Sequence, residues 1–246
     1  MYTAFAQVYD QLMDDFDYPK WAEYYLELIS LAGIRPETLL DAGCGTGSMA
    51  LEFARRSIAV TATDLSEEML ESAAEKFRKA GLTTRLICQD MCALLLPKPV
   101  DAVTCVCDGV NYLITPRRLR AFFQAAWRAL KPGGALAFDF SSRHKLEEEI
   151  GDAFFGEERE EVAYLWENRL DRDKHLVAMD ITFFLREGDG RYRRFRERHV
   201  QRAHTPQEIL PLLEETGFGE ICVFGDQTFE SPKPEEKRIH VLAKKG

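Results

Sequence analysis

Leu39-Leu40-Asp41-Ala42-Gly43-Cys44-Gly45-Thr46-Gly47 decides the fold: an apolar run, then an acid, then three glycines at alternate positions. The apolar run reads as a buried strand. Glycines directly after a strand let a ligand lie against the main chain and let the chain turn into the next helix. Asp41 stands where it can hold a positively charged ammonium group. A second acid, Asp64, follows the next strand 17 residues beyond Gly47, where a doubly wound fold brings a carboxylate to the hydroxyls of a ribose. A phosphate-binding loop would need Gly-Lys-Ser/Thr, and Gly47 is followed by Ser48-Met49 instead.

Outward from this stretch, strands and helices alternate. Strands are expected over 38–40, 59–63, 84–88, 102–107 and 135–140, with helices over 49–56, 67–80 and 116–130. Ser66 and Thr115 are placed as helix caps, and Lys131-Pro132-Gly133-Gly134 as a turn. Thr205-Pro206-Gln207-Glu208 has the form of a capping box that starts a helix ending near Gly217, and two last strands cover 221–224 and 239–243. Such alternation predicts an α/β fold with a doubly wound, mostly parallel seven-stranded sheet. Two amphipathic helices precede it: Phe5, Val8, Leu12 and Met13 share one face, and Trp21, Tyr24, Leu28 and Leu31 another. Residues 143–203 break the rhythm. They read as a short helix and an inserted antiparallel sheet of three strands, 162–170, 175–185 and 192–202, with Val177, Met179, Ile181, Phe183 and Leu185 alternating onto one apolar face.

The bulk numbers narrow the function classes. A chain of 246 residues with 46% hydrophobic composition fills the core of one α/β domain. Its net charge of −9 repels phosphate and argues against a dedicated nucleic-acid partner. No run approaches the roughly 18 apolar residues that span a bilayer, and the first residues lack the pattern of a signal peptide, so a cytoplasmic location without a membrane partner is expected. Six cysteines, at 44, 88, 92, 105, 107 and 222, lack the spacing of a metal site, and all but Cys44 and Cys92 are expected in buried strands.

Asp-Ala-Gly-Cys-Gly-Thr-Gly over residues 41–47 resembles the first motif of the class I S-adenosylmethionine-dependent methyltransferases, and the later motifs fall in order. Asp64-Leu65-Ser66 looks like the family's acidic loop, Gln89-Asp90-Met91 like the stretch along the adenine, and Cys107-Asp108-Gly109-Val110-Asn111 stands where the fourth strand ends beside the methionine part. The likeness covers residues 36–140 and, less specifically, 205–245. Residues 5–10 and 194–202 are similar to the YqeM-like bacterial branch. The resemblance implies a Rossmann-like fold and S-adenosylmethionine as cofactor, held by Tyr9, Asp41, Gly43, Cys44, Gly45, Gly47, Asp64, Leu65, Asp90, Met91, Cys107 and Asp108. For Tyr9 two readings stand side by side: a lid residue on the cofactor, or a core-facing aromatic.

The methyl on a sulfonium is already electrophilic, so the chain mainly aligns a nucleophile, excludes water and, if the acceptor requires it, removes a proton; no metal is needed. Tyr112, His199 and Arg202 are the catalytic candidates at an acceptor pocket, with Asp108 and Asn111 beside them. Each has a plainer reading: Asp108 and Asn111 as loop-shaping residues, Tyr112 as packing, His199 as a locally satisfied strand histidine. Arg191 to Arg202 reads foremost as a charged, solvated strand edge. One domain is expected over 1–246, with residues 1–33 as a helical lid and 143–203 covering a small-molecule acceptor. A non-catalytic protein that binds the same cofactor as a sensor or scaffold is the alternative. An NAD-dependent oxidoreductase comes third, because the third glycine stands at 47 rather than at the 48 that GxGxxG requires.

Overall fold

The computed structural model describes residues 5–246, and of Phe5 and Gln7 only the backbone, so the expected part of Phe5 in an apolar face lies outside the described side chains. Seven strands, β1 (Thr38–Ala42), β2 (Ala59–Asp64), β3 (Arg85–Cys88), β4 (Val100–Cys105), β5 (Leu130–Ser141), β10 (Phe218–Phe224) and β11 (Arg238–Lys245), form one sheet in the order β10-β11-β5-β4-β1-β2-β3. Neighbours in β3-β2-β1-β4-β5 run parallel, while β11 is antiparallel to β5 and to β10. β1 therefore lies between β2 and β4, with Asp41 level with Ala62 and Thr104. The strand order reverses there, and the crevice beyond the carboxyl ends is where such sheets bind ligands.

Local chemistry sets the helices. In α4 (Glu67–Lys79), the Ser66 hydroxyl accepts the Met69 N–H, acids occupy the first turn and bases the last, so both ends complement the helix dipole. α5 (Pro116–Ala129) begins at the Thr115 cap and buries Leu119, Phe122 and Phe123, each contributing about 2 kcal/mol, against the sheet. α6 (Pro206–Thr216) carries the expected capping box. α2 (Tyr18–Ser30) and α3 (Ser48–Arg55) pack on the other face. Gly47 precedes α3 with φ +76°, and a Cβ there would stand 2.8 Å from the Ala73 Cβ, so only glycine lets α3 approach α4.

The inserted sheet has four strands, not three: β6 (Phe154–Glu158), β7 (Val162–Asp171), β8 (Leu176–Arg186) and β9 (Tyr192–Arg202), paired in that order as antiparallel neighbours. The missing strand, Phe-Phe-Gly-Glu-Glu, is an edge strand five residues long, too short and too glutamate-rich for alternation to register. The inserted sheet is met on its apolar face by α1 (Phe5–Leu12), whose Val8 packs against Val162 of β7 and Phe183 of β8. Two cysteines expected in the core, Cys88 and Cys222, are exposed, because β3 and β10 are the outer strands of the large sheet. The expected strand over 102–107 stops at Cys105: Cys107 and Asp108 adopt φ +63° and +65°, which an extended ladder cannot hold.

His204 is 2% exposed where β9 leads into α6, and burial, reinforced by the Arg202 charge, pushes its pKa down to about 4. A depressed folded pKa means that unfolding takes up a proton. Stability is therefore full above the unfolded value of about 6.5 and is lost as pH falls toward 4, by on the order of 3 kcal/mol at the limit. Melting temperatures between pH 7 and 4.5 should drop less steeply for His204→Gln than for the parent; parallel curves would remove His204 from this linkage.

Candidate functional site

Asp41, at the end of β1, is buried and accepts a hydrogen bond from the Thr104 hydroxyl at 2.8 Å through Oδ1, while its Oδ2 has no partner among the described residues. Burial pushes its pKa up to about 7, and the Asp64 charge adds to that against the opposing Thr104 hydrogen bond. An orphaned buried carboxylate oxygen is costly, by about 1–3 kcal/mol, and a ligand cation would relieve it. Asp41 lines a recess of about 50 Å³ together with Gly43, Cys44 and Gly45. Through Tyr9, Gly43, Gly45 and Cys107 the recess continues into a larger cavity of about 570 Å³. Burial raises the Cys44 and Cys107 thiols well above their usual range, so both present neutral walls.

Asp64 lines the larger cavity at the end of β2. Its Oδ2 accepts the Gly45 N–H and its Oδ1 the Ser66 N–H, both at 2.9 Å, which ties the glycine loop to the next loop and leaves acceptor capacity on each oxygen. Leu65, Asp90 and Met91 lie along the same cavity. Asp90 is gripped by Arg118 of α5 through both carboxylate oxygens, at 3.0 and 2.9 Å. Arg118 also lines the cavity; no spacing in the chain could have flagged it, since the pairing spans 28 residues. Gly47 is outside all of these walls and serves the packing of α3.

A chamber of about 310 Å³ lies under the apolar face of the inserted sheet. Tyr9, Tyr112 and His199 border both this chamber and the larger cavity, so they form the wall through which the two communicate. The Tyr112 hydroxyl lies 3.2 Å from Nδ1 of His199, and burial holds the His199 pKa below its usual value, so the imidazole is neutral at pH 7. Tyr9 has its hydroxyl pKa raised far above 10 by burial and stays protonated. Lys145, Trp166 and Gln201 complete the chamber, none of them singled out by the sequence. Alternation along β8 and β9 was the signal available for Met179, Ile181, Phe183 and Gln201.

Arg202 is not brought to this wall. β9 is regular from residue 192 to 202, so positions 199 and 202 face opposite sides, and the Arg202 guanidinium donates to Glu208 at 2.7 Å and to the Lys174 carbonyl at 3.1 Å. Asn111 is not a self-bonded turn residue. Its amide nitrogen donates to the carbonyls of Ser141 and Arg202 and its oxygen accepts the Ser141 N–H, stitching the β4 loop to β5 and β9. Asp108 faces the chamber but is paired with Arg238 of β11; burial opposes its ionisation, and the Arg238 and Lys145 charges outweigh that and hold its pKa low.

Residues 39–134 match the model of a family described as a methyltransferase domain. The YqeM protein of Bacillus subtilis (strain 168) is 33% identical over 100% of this chain and 98% of its own length, and a protein of Geobacillus sp. (strain WCH70) is 34% identical over 99% of both; each carries a provisional methyltransferase name. Among solved structures, an S-adenosylmethionine-dependent methyltransferase from Clostridium acetobutylicum ATCC 824 is similar with a TM-score of 0.90 and 35% identity, covering 100% of this chain and 99% of that one. With 33% to 35% identity to these proteins over essentially the whole of each chain, this chain belongs to the class I S-adenosylmethionine-dependent methyltransferases, on the YqeM-like bacterial branch.

Proposed function

We propose that the protein transfers a methyl group from S-adenosylmethionine to a small-molecule acceptor seated under the inserted sheet. The observation that carries this reading is the shared wall: Tyr9, Tyr112 and His199 stand between a cavity floored by acids and glycines and a mostly apolar chamber. Asp41 would pair the amino-acid ammonium through its unpartnered oxygen, and Asp64 would take the ribose hydroxyls. Leu65, Asp90 and Met91 would lie along the adenine, while Cys44, Cys107 and the bare backbone of Gly43 and Gly45 line the methionine part. When bound, the cofactor supplies an electrophilic methyl on a sulfonium.

The chain then has three tasks. It excludes water with α1 and the inserted sheet as covers, and α1 is fastened over the site where Asp10 accepts from the Thr46 hydroxyl at 2.7 Å and from Lys76 at 2.9 Å. It orients the acceptor against the aromatic and aliphatic chamber wall. It receives a proton: the neutral His199, beside the Tyr112 hydroxyl on the shared wall, is the candidate base. Binding of S-adenosylhomocysteine but not NAD, followed by transfer of labelled methyl to a screened acceptor, tests the proposal. Binding without transfer to any acceptor would favour a sensor.

Asp41 makes the donor step pH-dependent. In the free protein its carboxyl titrates near 7, and an ammonium ligand needs the ionised form, so binding releases a proton below that pH. Affinity for S-adenosylhomocysteine should be about tenfold lower at pH 6 than at pH 8, and Asp41→Asn should bind weakly with no such slope. Calorimetry across that range checks both; a flat profile in the parent would leave Asp41 outside the ammonium site.

His199→Ala should lower methyl transfer by on the order of 10²-fold while leaving S-adenosylhomocysteine affinity within about twofold. With the methyl donor saturating at every pH, the parent rate should fall on the acid side below pH 6.5, as the depressed His199 pKa is crossed, and that limb should be missing from the variant. Loss of cofactor affinity in parallel with rate would assign His199 to the donor side instead.

A further inference from the structure

Among the described residues, three charged side chains line the chamber, Asp108, Lys145 and Glu157, and each is engaged with the protein itself. Asp108 belongs to a group of two carboxylates and two cations, with Arg238 bonded to both Asp108 and Asp139 and Lys145 near enough to depress the Asp108 pKa, so the group sums to zero. The Lys145 ammonium donates to the Ser141 hydroxyl at 3.1 Å. Glu157 accepts from Arg159 and, at 3.0 Å, from the Tyr164 hydroxyl. His199 is neutral at pH 7. The remaining wall is mainly Leu, Ile, Met, Phe and Trp, with Tyr164 and Phe183 rings 6.2 Å apart and Trp166 beside Phe155. A charged acceptor entering this chamber would lose its hydration among mainly apolar side chains, where the described charges are already engaged with the protein and together balance.

We propose that the acceptor is an uncharged, ring-bearing hydroxy compound of the phenol or enol type, lying flat among the chamber's aromatic rings with its hydroxyl at Tyr112 and His199. The inference rests on the methyl-transfer reading and deepens it. Volume agrees: about 310 Å³ is room for one or two fused rings and not for a polymer. Aliphatic amines carry a charge at pH 7, with pKa near 10, and are disfavoured by the same desolvation that excludes carboxylates. A phenolic hydroxyl, neutral at pH 7, satisfies the apolar wall by stacking and gives up its proton only as it reacts. In that step the acceptor oxygen forms the new O–C bond while the C–S bond breaks. The electron pair stays on sulfur, which becomes a neutral thioether, and the hydroxyl proton passes to His199.

Matched probes test this without turnover. On protein saturated with S-adenosylhomocysteine, calorimetry should show one-site binding of 2-naphthol, roughly tenfold or more tighter than 2-naphthoate and glucosamine, which carry a negative and a positive charge. Ile181→Glu, which sets an unanswered charge in the wall, should abolish naphthol binding and leave S-adenosylhomocysteine affinity unchanged, and Ile181→Trp should weaken it by filling space. Comparable or tighter binding of either charged probe, no saturable naphthol binding, or naphthol binding indifferent to both variants would overturn the proposal while the methyl-donor reading stands. Failure of S-adenosylhomocysteine itself to bind would remove that reading and this inference with it.

Discussion

A carboxylate with no solvent exposure, Asp139 on β5, fixes the course of the chain beyond the end of β4. Its Oδ1 accepts the Asp108 N–H at 2.8 Å and its Oδ2 the Cys107 N–H at 3.2 Å. Those two residues sit at positive φ, a conformation that costs about 1 kcal/mol or more for each non-glycine residue and persists only when the surroundings impose it. The buried charge is in turn answered by Arg238, which donates to Asp139 at 2.9 Å, pairs with Asp108 and lies 5.1 Å over the Trp21 ring of α2. Removing one member of such a buried group leaves the others uncompensated, at about 3–5 kcal/mol. The strand ends, the C-terminal strand and the second helix are thus locked by one electrostatic knot beneath the cavities.

This knot was invisible in the chain, and the reason is physical. Asp139 and Arg238 are ordinary strand residues until β5 and β11 pair at Asp139–His240 and Ser141–Arg238, a contact spanning 99 residues. What could be read directly was local or periodic: the strand-to-glycine transition at 39–47, the acid at 64, the caps at Ser66 and Thr115, the alternation along β8. Readings failed where an element lacked a period or where faces had to be assigned in space. β6 is too short to alternate, Cys88 and Cys222 sit on strands whose edge position only the topology reveals, and Arg202 pairs with a glutamate on the following helix.

Strand parity explains how one inserted sheet carries two unlike surfaces. On β9, His199 and Gln201 turn inward and are buried, whereas Arg194, Arg196 and Arg198 turn outward, Arg198 facing Asp180 across the ladder. The arginine-rich stretch is therefore a solvated outer face whose inward positions build the chamber. α1 closes the assembly from the other side, since Val8 enters the apolar cluster of Val162 and Phe183 while Tyr9, one residue on, reaches all three cavities.

The two spaces are consequently built from different parts of the chain. The recess and larger cavity are lined by the loops that follow β1, β2, β3 and β4; the chamber wall is side chains from α1 and the insertion, with a few polar residues at the ends of β4 and β5. Side chains that share no partner and lie well apart contribute nearly independently, so exchanges at Ile181 or Met179 reshape the chamber without reaching Asp41 or Asp64. Coupling is confined to Tyr9, Tyr112 and His199, which touch both spaces. Of these three, Tyr9 stands on α1, the helix whose Val8 packs into the inserted sheet, so the wall between the two spaces and their cover share one element.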